Sequence, residues 1–590
     1  RGVGPDLAAK TLHHRAAYGA LRRRIADDPQ LSSLDERAVD GDFEALRQLI
    51  EARRGRVLAA VRSRWTALQQ DRLLALTGTK LNGLGASVRQ RLFVRGRRAM
   101  KLRQVVRVGR SLDPTDGGGD PLFDLCPVWM CSPETVAQIF PLDPIFDVVI
   151  FDEASQCRLE EALPVLVRAH RVVIAGDPEQ LPPSRFFEAS VASSEVTDIE
   201  TEDDLFEAQQ TDVEDVLAAA LQLDVQECYL DVHYRSRHRT LIEFSNEHFY
   251  GNRLQALPGH PEDLAEIPPI QFRQVSGIYE KRRNRAEAEA VVEIVDELLR
   301  RDDPPSLGVA TFNLVQKDLV SDLLAEKAEL DADFRRRYDA ARGLFRDGGF
   351  EGLFVKNLEN VQGDERDHII ISTTYGVNEA GRFYRRFGPL GARGGGRRLN
   401  VLVTRARRRL HLVTSIPPSV YRAGQALPAG GEPSGAWLLL AYLRFAEDAV
   451  FPGPVSGGRG ADPDPARNRV EEARIDALDV RSPLVDAVAG RLDGAAGEVT
   501  VGRYWGNDGF CVDVTARRGG ERRRGLLLDF ARYRRAPDAV EWDLFATELL
   551  RAQGWELRRN FSPRLFRDAD RLLDDFLRGD RGAGRPEPRS

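Results

Sequence analysis

FDVVIFDEAS, residues 146–155, and HRVVIAGDPEQLPP, residues 170–183, decide the fold. Each is a short apolar run that ends in polar or turn-forming residues, and a helix-sized stretch lies between them. Such alternation marks a parallel sheet with crossover helices. The first strand delivers Asp152 and Glu153 to the carboxyl edge of that sheet, and the second delivers Gly176, Asp177 and Gln180. Ligands of parallel α/β sheets bind at that edge. NTP hydrolysis needs one carboxylate to hold Mg²⁺ through its waters and a second group to orient or deprotonate the attacking water, and Asp152 and Glu153 suit those tasks. Gly176, Asp177 and Gln180 are placed to sense a γ-phosphate. An Asp-Glu pair by itself more often caps a helix or faces solvent; two such strand ends in succession shift the balance toward chemistry.

Outward from this pair, SLGVATF (306–312), HIIISTTYG (368–376) and LHLVTS (410–415) repeat the alternation, so residues 225–446 are expected to form a second α/β domain. Residues 121–224 complete the part of the first domain present here, with an acidic insertion over 188–215. Upstream, residues 1–120 read as helices, with leucine and alanine at three- and four-residue spacing. Near the end of that stretch stand Arg89, Arg91, Arg95, Arg97, Arg98, Lys101, Arg103, Arg107 and Arg110. They fit a solvated helix face and a phosphate-contacting stalk equally well. Residues 447–477 have linker composition, residues 478–580 form a compact α/β module, and residues 581–590 read as a disordered tail.

A chain of 590 residues exceeds one hydrophobic core. No apolar run reaches the roughly 18 residues of a membrane span, and nothing at the start resembles a signal peptide. The 5 cysteines form no CxxC pair, which suits a reducing compartment. A soluble, cytoplasmic protein is expected. The formal net charge of −6 argues against uniform phosphate affinity, so nucleic-acid binding must come from local patches.

DEASQ (152–156), GDPEQLPP (176–183), HYRSRH (233–238), VQGDERD (361–367) and RRLNVLVTRAR (397–407) stand in the order of motifs II to VI of superfamily 1 helicases. They resemble the branch that contains the nonsense-mediated-decay RNA helicase, and the stretch from PVWMCSPETVAQIF (127–140) onward resembles bacterial members with a C-terminal Vsr-like nuclease domain. The resemblance covers residues 125–415. It implies two RecA-like domains, ATP and Mg²⁺ as cofactors, and a single-stranded or partly duplex nucleic-acid partner, DNA favoured, tracked 5′ to 3′ in DNA repair or defence against foreign DNA. It implies that Arg235 and Arg405 reach the γ-phosphate as arginine fingers, groups worth on the order of 10³ to 10⁵ in rate. Tyr234 would stack on the base, and Gly363 with Glu365 would meet the ribose. Ser132, Pro133 and Thr311 would touch the nucleic-acid backbone.

Two departures stand out. No GxxxxGK[ST] phosphate loop occurs; LTGTKLNG around Lys80 lacks the first glycine and the spacing. Truncation at the amino end is the economical expectation, and the chain alone is expected to bind ATP poorly. GARGGGRRLN (391–400) has Gly391 and Gly396 where bacterial relatives usually carry Asn and Glu.

The terminal module, with SPLVDAVAGRL, GFCVDVTA, RGLLLDFARY and GWELRRNFSPRLF, reads as helix, strand, strand, helix and strand. It resembles the Vsr-like branch of PD-(D/E)XK nucleases, which implies metal-holding roles for Asp513 and Asp529. Leu527 occupies the place of the usual Glu, so a degenerate module that still binds DNA, with Arg532 and Arg534 on phosphates, is favoured over an active nuclease. Two other functions compete with the motor: a nucleic-acid-binding protein without ATPase turnover, and a metal-dependent endonuclease on a helicase-like scaffold.

Overall fold

The computed structural model describes residues 36–75, 100–111, 126–183, 215–260, 268–423 (347, 392 and 393 apart), 433–450, 482–528 (495–498 and 507–509 apart), 545–560 and 562–578, with scattered positions before residue 36 and between 76 and 123. The acidic insertion up to residue 214, the linker 451–477, Asp529, Arg532, Arg534 and the tail lie outside the described residues, as do Arg89, Arg95, Arg97 and Arg98 of the basic run.

The chain divides into two compact units. One comprises Arg1–Met130, Leu528–Phe530 and Arg559–Asp575. It contains the 40-residue helix α1 (Glu36–Ala75), whose Leu49, Val57, Leu58 and Val61 are exposed, and the short helix α2 (Leu102–Ser111). Both helices fall within residues 1–120, much of which lies outside the described residues.

The larger unit begins with α3 (Pro133–Ile139), whose amino end is capped by Ser132 accepting from the Thr135 amide at 3.4 Å. Strand β1 (Phe146–Phe151), α4 (Leu159–Leu166) and β2 (Ala169–Ile174) form a right-sized βαβ unit, and β1 pairs in parallel with β2 from Phe146–Ala169 to Phe151–Ile174. Helix α5 (Val216–Leu221) packs Val216 and Leu217 against Phe151, Ala154 and Ala162. Val149 and Ile174 pack partly buried against the same core, while Val148, Ile150, Val172 and Val173 are exposed, Ile150 at 69%.

The short strands β3 (Val232–His233) and β4 (Gln255–Ala256) flank α6 (Thr240–His248). Then β5 (Ile270–Gln274), α7 (Arg285–Leu299), β6 (Leu307–Thr311), α8 (Leu314–Leu330), α9 (Ala332–Arg342), the hairpin β7 (Phe345–Arg346) and β8 (Gly349–Phe350), β9 (Phe354–Asn357), β10 (Arg366–Ser372), α10 (Gly395–Val403) and β11 (Ala406–Thr414) build the second domain. Its sheet has the order β5-β11-β10-β6-β9, with every neighbouring pair parallel. Helices cover both faces: Val291, Val295, Leu298, Val320 and Leu324 pack on one, and Leu399, Leu402, Leu439 and Leu443 on the other. Leu439 and Leu443 lie on α12 (Gly435–Val450), which follows α11 (Pro418–Arg422). All seven residues of β10 are buried. Asn284, Asn313 and Asp331 cap α7, α8 and α9 by accepting amide hydrogens of the first turn.

The terminal module runs through α13 (Pro483–Asp493), β12 (Val499–Trp505), β13 (Val512–Arg518), β14 (Arg524–Leu528), α14 (Ala546–Ala552) and β15 (Glu556–Asn560); α15 (Ser562–Arg578) follows in sequence, its residues up to Asp575 counted with the smaller unit. Its sheet order is β12-β13-β14-β15, one strand more than the sequence pattern suggests. The added strand, VTVGRYW, carries Gly502 and Arg503 in its centre, which hides its period-2 pattern. The module does not stand apart from the second domain. Leu257, just after β4, shares a core with Phe510, Val512, Leu527, Leu550 and Trp555. The Trp555 indole donates to the Pro258 carbonyl at 2.8 Å, and the His260 ring lies 2.8 Å from the Arg523 carbonyl.

Candidate active site

Three strand ends and one helix end meet where β1 and β2 face the second domain. The chain leaves β1 into Asp152 and Glu153, both exposed, and Glu153 adopts a left-handed φ of 54°. A non-glycine residue in that region is strained and tends to mark a working position. The Glu153 amide donates to Asp152 Oδ1 at 3.1 Å, and Gln362 Nε2 reaches across from the second domain to Glu153 Oε2 at 3.3 Å. After β2, Gly176 passes so close to the backbone amides of Ala154 and Ser155 that a Cβ would lie 3.2 Å from each. That close approach is the physical reason for glycine.

Asp177 and Gln180 form the next layer. Gln180 Nε2 donates to Asp177 Oδ2 at 3.0 Å, and the hydroxyl of Tyr250, beyond α6, donates to the same oxygen at 2.8 Å. Asn400 on α10 donates to Tyr250 Oη and to the Glu179 carbonyl, each at 2.9 Å. Burial first, then the Asp177 charge, pushes the Tyr250 phenol far above its ordinary range, so it stays a donor. Arg405, at the foot of β11 and 4% exposed, places Nη2 3.3 Å from Gln180 Oε1. Burial lowers its pKa, the neighbouring Arg235 lowers it further, and Glu365 and Glu153 pull it back. Arg235 in turn pairs with Glu365 at 3.0 Å.

The structure thus brings Asp152, Glu153, Asp177, Gln180, Arg235, Glu365 and Arg405 to one cleft. Gly363 precedes Glu365 with φ 82° and open space around it, so its backbone conformation accounts for the residue. Tyr234 is 73% exposed beside Arg235, free to stack on a planar ring. Ser132 and Pro133 lie at the start of α3, with Ser132 exposed. Thr311 differs from the sequence expectation of an open contact: it is fully buried and its hydroxyl donates to the Asn313 carbonyl at 2.8 Å. Tyr250, Gln362 and Asn400 are cleft residues that motif roles did not supply; Gln362 lies inside VQGDERD and Asn400 inside RRLN, whereas Tyr250 falls in no motif.

The donor set fits a nucleotide and its cation on the hydrolytic side. Asp152 and Glu153 offer carboxylate oxygens of the kind Mg²⁺ takes. Ser155 Oγ, Gln362 Oε1 and Asn400 Oδ1 are buried and without a hydrogen-bond partner among the described residues, which leaves polar capacity in the cleft.

In the terminal module, Asp513 is buried on β13, and Leu527 is 5% exposed within the apolar core. Among the described residues no group of three or more His, Cys, Asp or Glu side chains is disposed to hold a metal. No helix of the described residues is long and apolar enough to cross a membrane.

Two AAA domain families match the chain, one over residues 131–186 and the other over residues 208–416. The uncharacterized ATP-dependent helicase MG140 of Mycoplasma genitalium is 36% identical over 334 residues, covering 55% of this chain and 28% of that protein. Helicase SEN1 of Saccharomyces cerevisiae is 25% identical over 44% of this chain and 11% of its own length. The DNA polymerase alpha-associated DNA helicase A of the same yeast is 24% identical over 48% of this chain and 41% of its own length. The chain therefore spans less than half the length of each of these relatives. Residues 131–186 and 208–416 are thus similar to AAA domains, and the stretch that they span is similar to these helicases.

Proposed function

We propose that this chain serves as motor machinery of an ATP-dependent superfamily 1 helicase or translocase, acting 5′ to 3′ on single-stranded or partly duplex DNA. The observation that carries the reading is the contact of Arg405, from the second domain, with Gln180 from the first, beside the Glu153–Gln362 contact. Glu153 orients and deprotonates the attacking water, Gln180 registers the γ-phosphate, and Arg235 and Arg405 neutralise charge that develops on it. Tyr234 stacks on the base. Asp152 would hold Mg²⁺, which when bound offsets charge on the phosphoryl oxygens. Loss of the γ-phosphate removes the shared partner of both domains, and the cleft opens; strand contacts made by each domain then alternate.

DNA as the track is supported by the name of the yeast helicase A and by the Vsr-like resemblance of the terminal module; a role in DNA repair or defence extends the same resemblance. With Leu527 in the core, the module acts as a nucleic-acid-contacting appendage without cleavage. A second reading, binding without turnover, draws on the lack of a GxxxxGK[ST] loop in the 590 residues.

The test compares single-strand-stimulated ATP hydrolysis by the native gene product with that of Glu153→Gln. Stimulated hydrolysis that the substitution abolishes, with ATP-dependent strand binding retained, is expected. Strand binding without any hydrolysis in the native protein would favour the second reading.

A further inference from the structure

Tyr234 and Arg235 stand on a turn whose two feet are held by different parts of the molecule. After the turn, Ser236 Oγ donates to the Ala406 carbonyl at 3.3 Å, and the Arg237 amide donates to the Arg407 carbonyl at 2.7 Å. That foot is fixed to β11 beside Arg405. Before the turn the chain leaves β3, and the His233 ring accepts the Ser236 amide through Nε2 at 3.2 Å, which closes the turn under Tyr234 and Arg235. Burial, then the Arg235 charge, holds His233 at about 4, so at neutral pH this nitrogen stays an acceptor.

β3 pairs with β4 alone among the described residues, at Val232–Gln255 and His233–Ala256, and neither strand joins the five-stranded sheet. So small a pair does not hold itself in place. Asn246 of α6 fixes the entry to β4, where its carboxamide bonds both backbone groups of Leu254 at 2.9 Å. The exit from β4 is held by the terminal module. The Leu257 amide donates to the His233 carbonyl at 3.2 Å, and the Leu257 side chain is buried among Phe510, Val512, Leu527, Leu550 and Trp555. Val232 of β3 packs on the same cluster. The Trp555 indole on the Pro258 carbonyl and the fully buried His260 ring against the Arg523 carbonyl pin the residues that follow. Gly506 of the module has φ 116°, and a Cβ there would lie 2.8 Å from Pro258 Cγ, so glycine is what lets the module close on this segment.

We propose that the terminal module positions the Tyr234–Arg235 turn for NTP hydrolysis, with Leu257 and Trp555 as positioning residues that act through β3 and have no contact with the nucleotide. One foot on β11 and one on the module set where the Arg235 guanidinium stands, and slack in the second foot displaces it from the γ-phosphate. A misplacement of about 1 Å at a reacting centre can cost on the order of 10²-fold in rate. The inference rests on the motor reading above, and it makes the module part of the motor as well as an appendage to it.

Leu257→Ala empties the module core at the β4 exit. Trp555→Phe keeps an aromatic ring but removes the indole donor, and it serves if the first variant fails to fold. The measurement is the maximal single-turnover rate of strand-stimulated ATP hydrolysis by the native gene product, well below the melting temperature of each variant. The rate is expected to fall on the order of 10²-fold in Leu257→Ala and roughly tenfold in Trp555→Phe. In an Arg235→Ala background the same substitutions are expected to cost no further rate, because the group that they position is gone. Equal losses with and without Arg235, or lower melting temperatures with rates unchanged, would reduce the contact to a structural one and overturn the proposal. No hydrolysis by the unsubstituted protein would overturn the motor reading and this inference together.

Discussion

β1 and β10 are both apolar strands of parallel sheets, and their burial is opposite. In FDVVIF only Phe151 is buried, whereas every residue of RDHIIIS is. β10 sits in the middle of five strands with helices on both faces; β1 has β2 as its sheet partner among the described residues. The same local pattern therefore gives a finished core in one domain and an open apolar surface in the other. Burying an isoleucine is worth about 1.5–3 kcal/mol, so fully buried Ile370 contributes far more to its domain than Ile150 at 69% exposure.

Acid should separate the two regions most. Burial, followed by neighbouring arginines, holds His233 and His238 at about 4 and His411 at about 3. Below the ordinary value of about 6.5 the unfolded chain takes up protons that the folded second domain refuses. Stability present at neutral pH is therefore lost as pH falls from about 6.5 through about 4, and the urea midpoint should fall over that window. A midpoint independent of pH there would contradict the buried, neutral histidines.

Next in size, Ile370→Ala in β10 should cost about 2–5 kcal/mol, read from chemical unfolding. Tyr250→Phe removes the hydroxyl that joins Asp177 to Asn400 across the cleft, and should cost about 1–2 kcal/mol. No loss in that variant would mean that the cleft contact is not formed in solution. Smallest is Ile150→Ala, at 69% exposure within about 0.5 kcal/mol. A cost like that of Ile370→Ala would show that the β1 face is covered in the protein as it exists.

The strands β1, β2, β6, β10 and β11 were legible because each is an apolar run between turn formers. β5, IQFRQ, and β12, VTVGRYW, were not: polar or glycine positions interrupt their runs, and only tertiary pairing makes them strands. Asp152, Glu153, Gln180 and Arg405 could be named because they follow strands or motifs directly. Tyr250 could not, since it lies in no motif and its relevance comes from a contact that joins distant segments; Gln362 lies in VQGDERD, but its reach to Glu153 is visible only in the structure. Thr311 shows the limit of reading a hydroxyl at a strand end: its O–H donates to the Asn313 carbonyl, and the side chain is buried.

The central claim is that Arg405 completes a nucleotide site whose carboxylates come from the other domain. It is tested most directly by single-strand-stimulated ATP hydrolysis of the native gene product and its Arg405→Ala variant. The account predicts a fall in kcat on the order of 10³-fold or more with a modest change in KM. A variant that keeps kcat would contradict it.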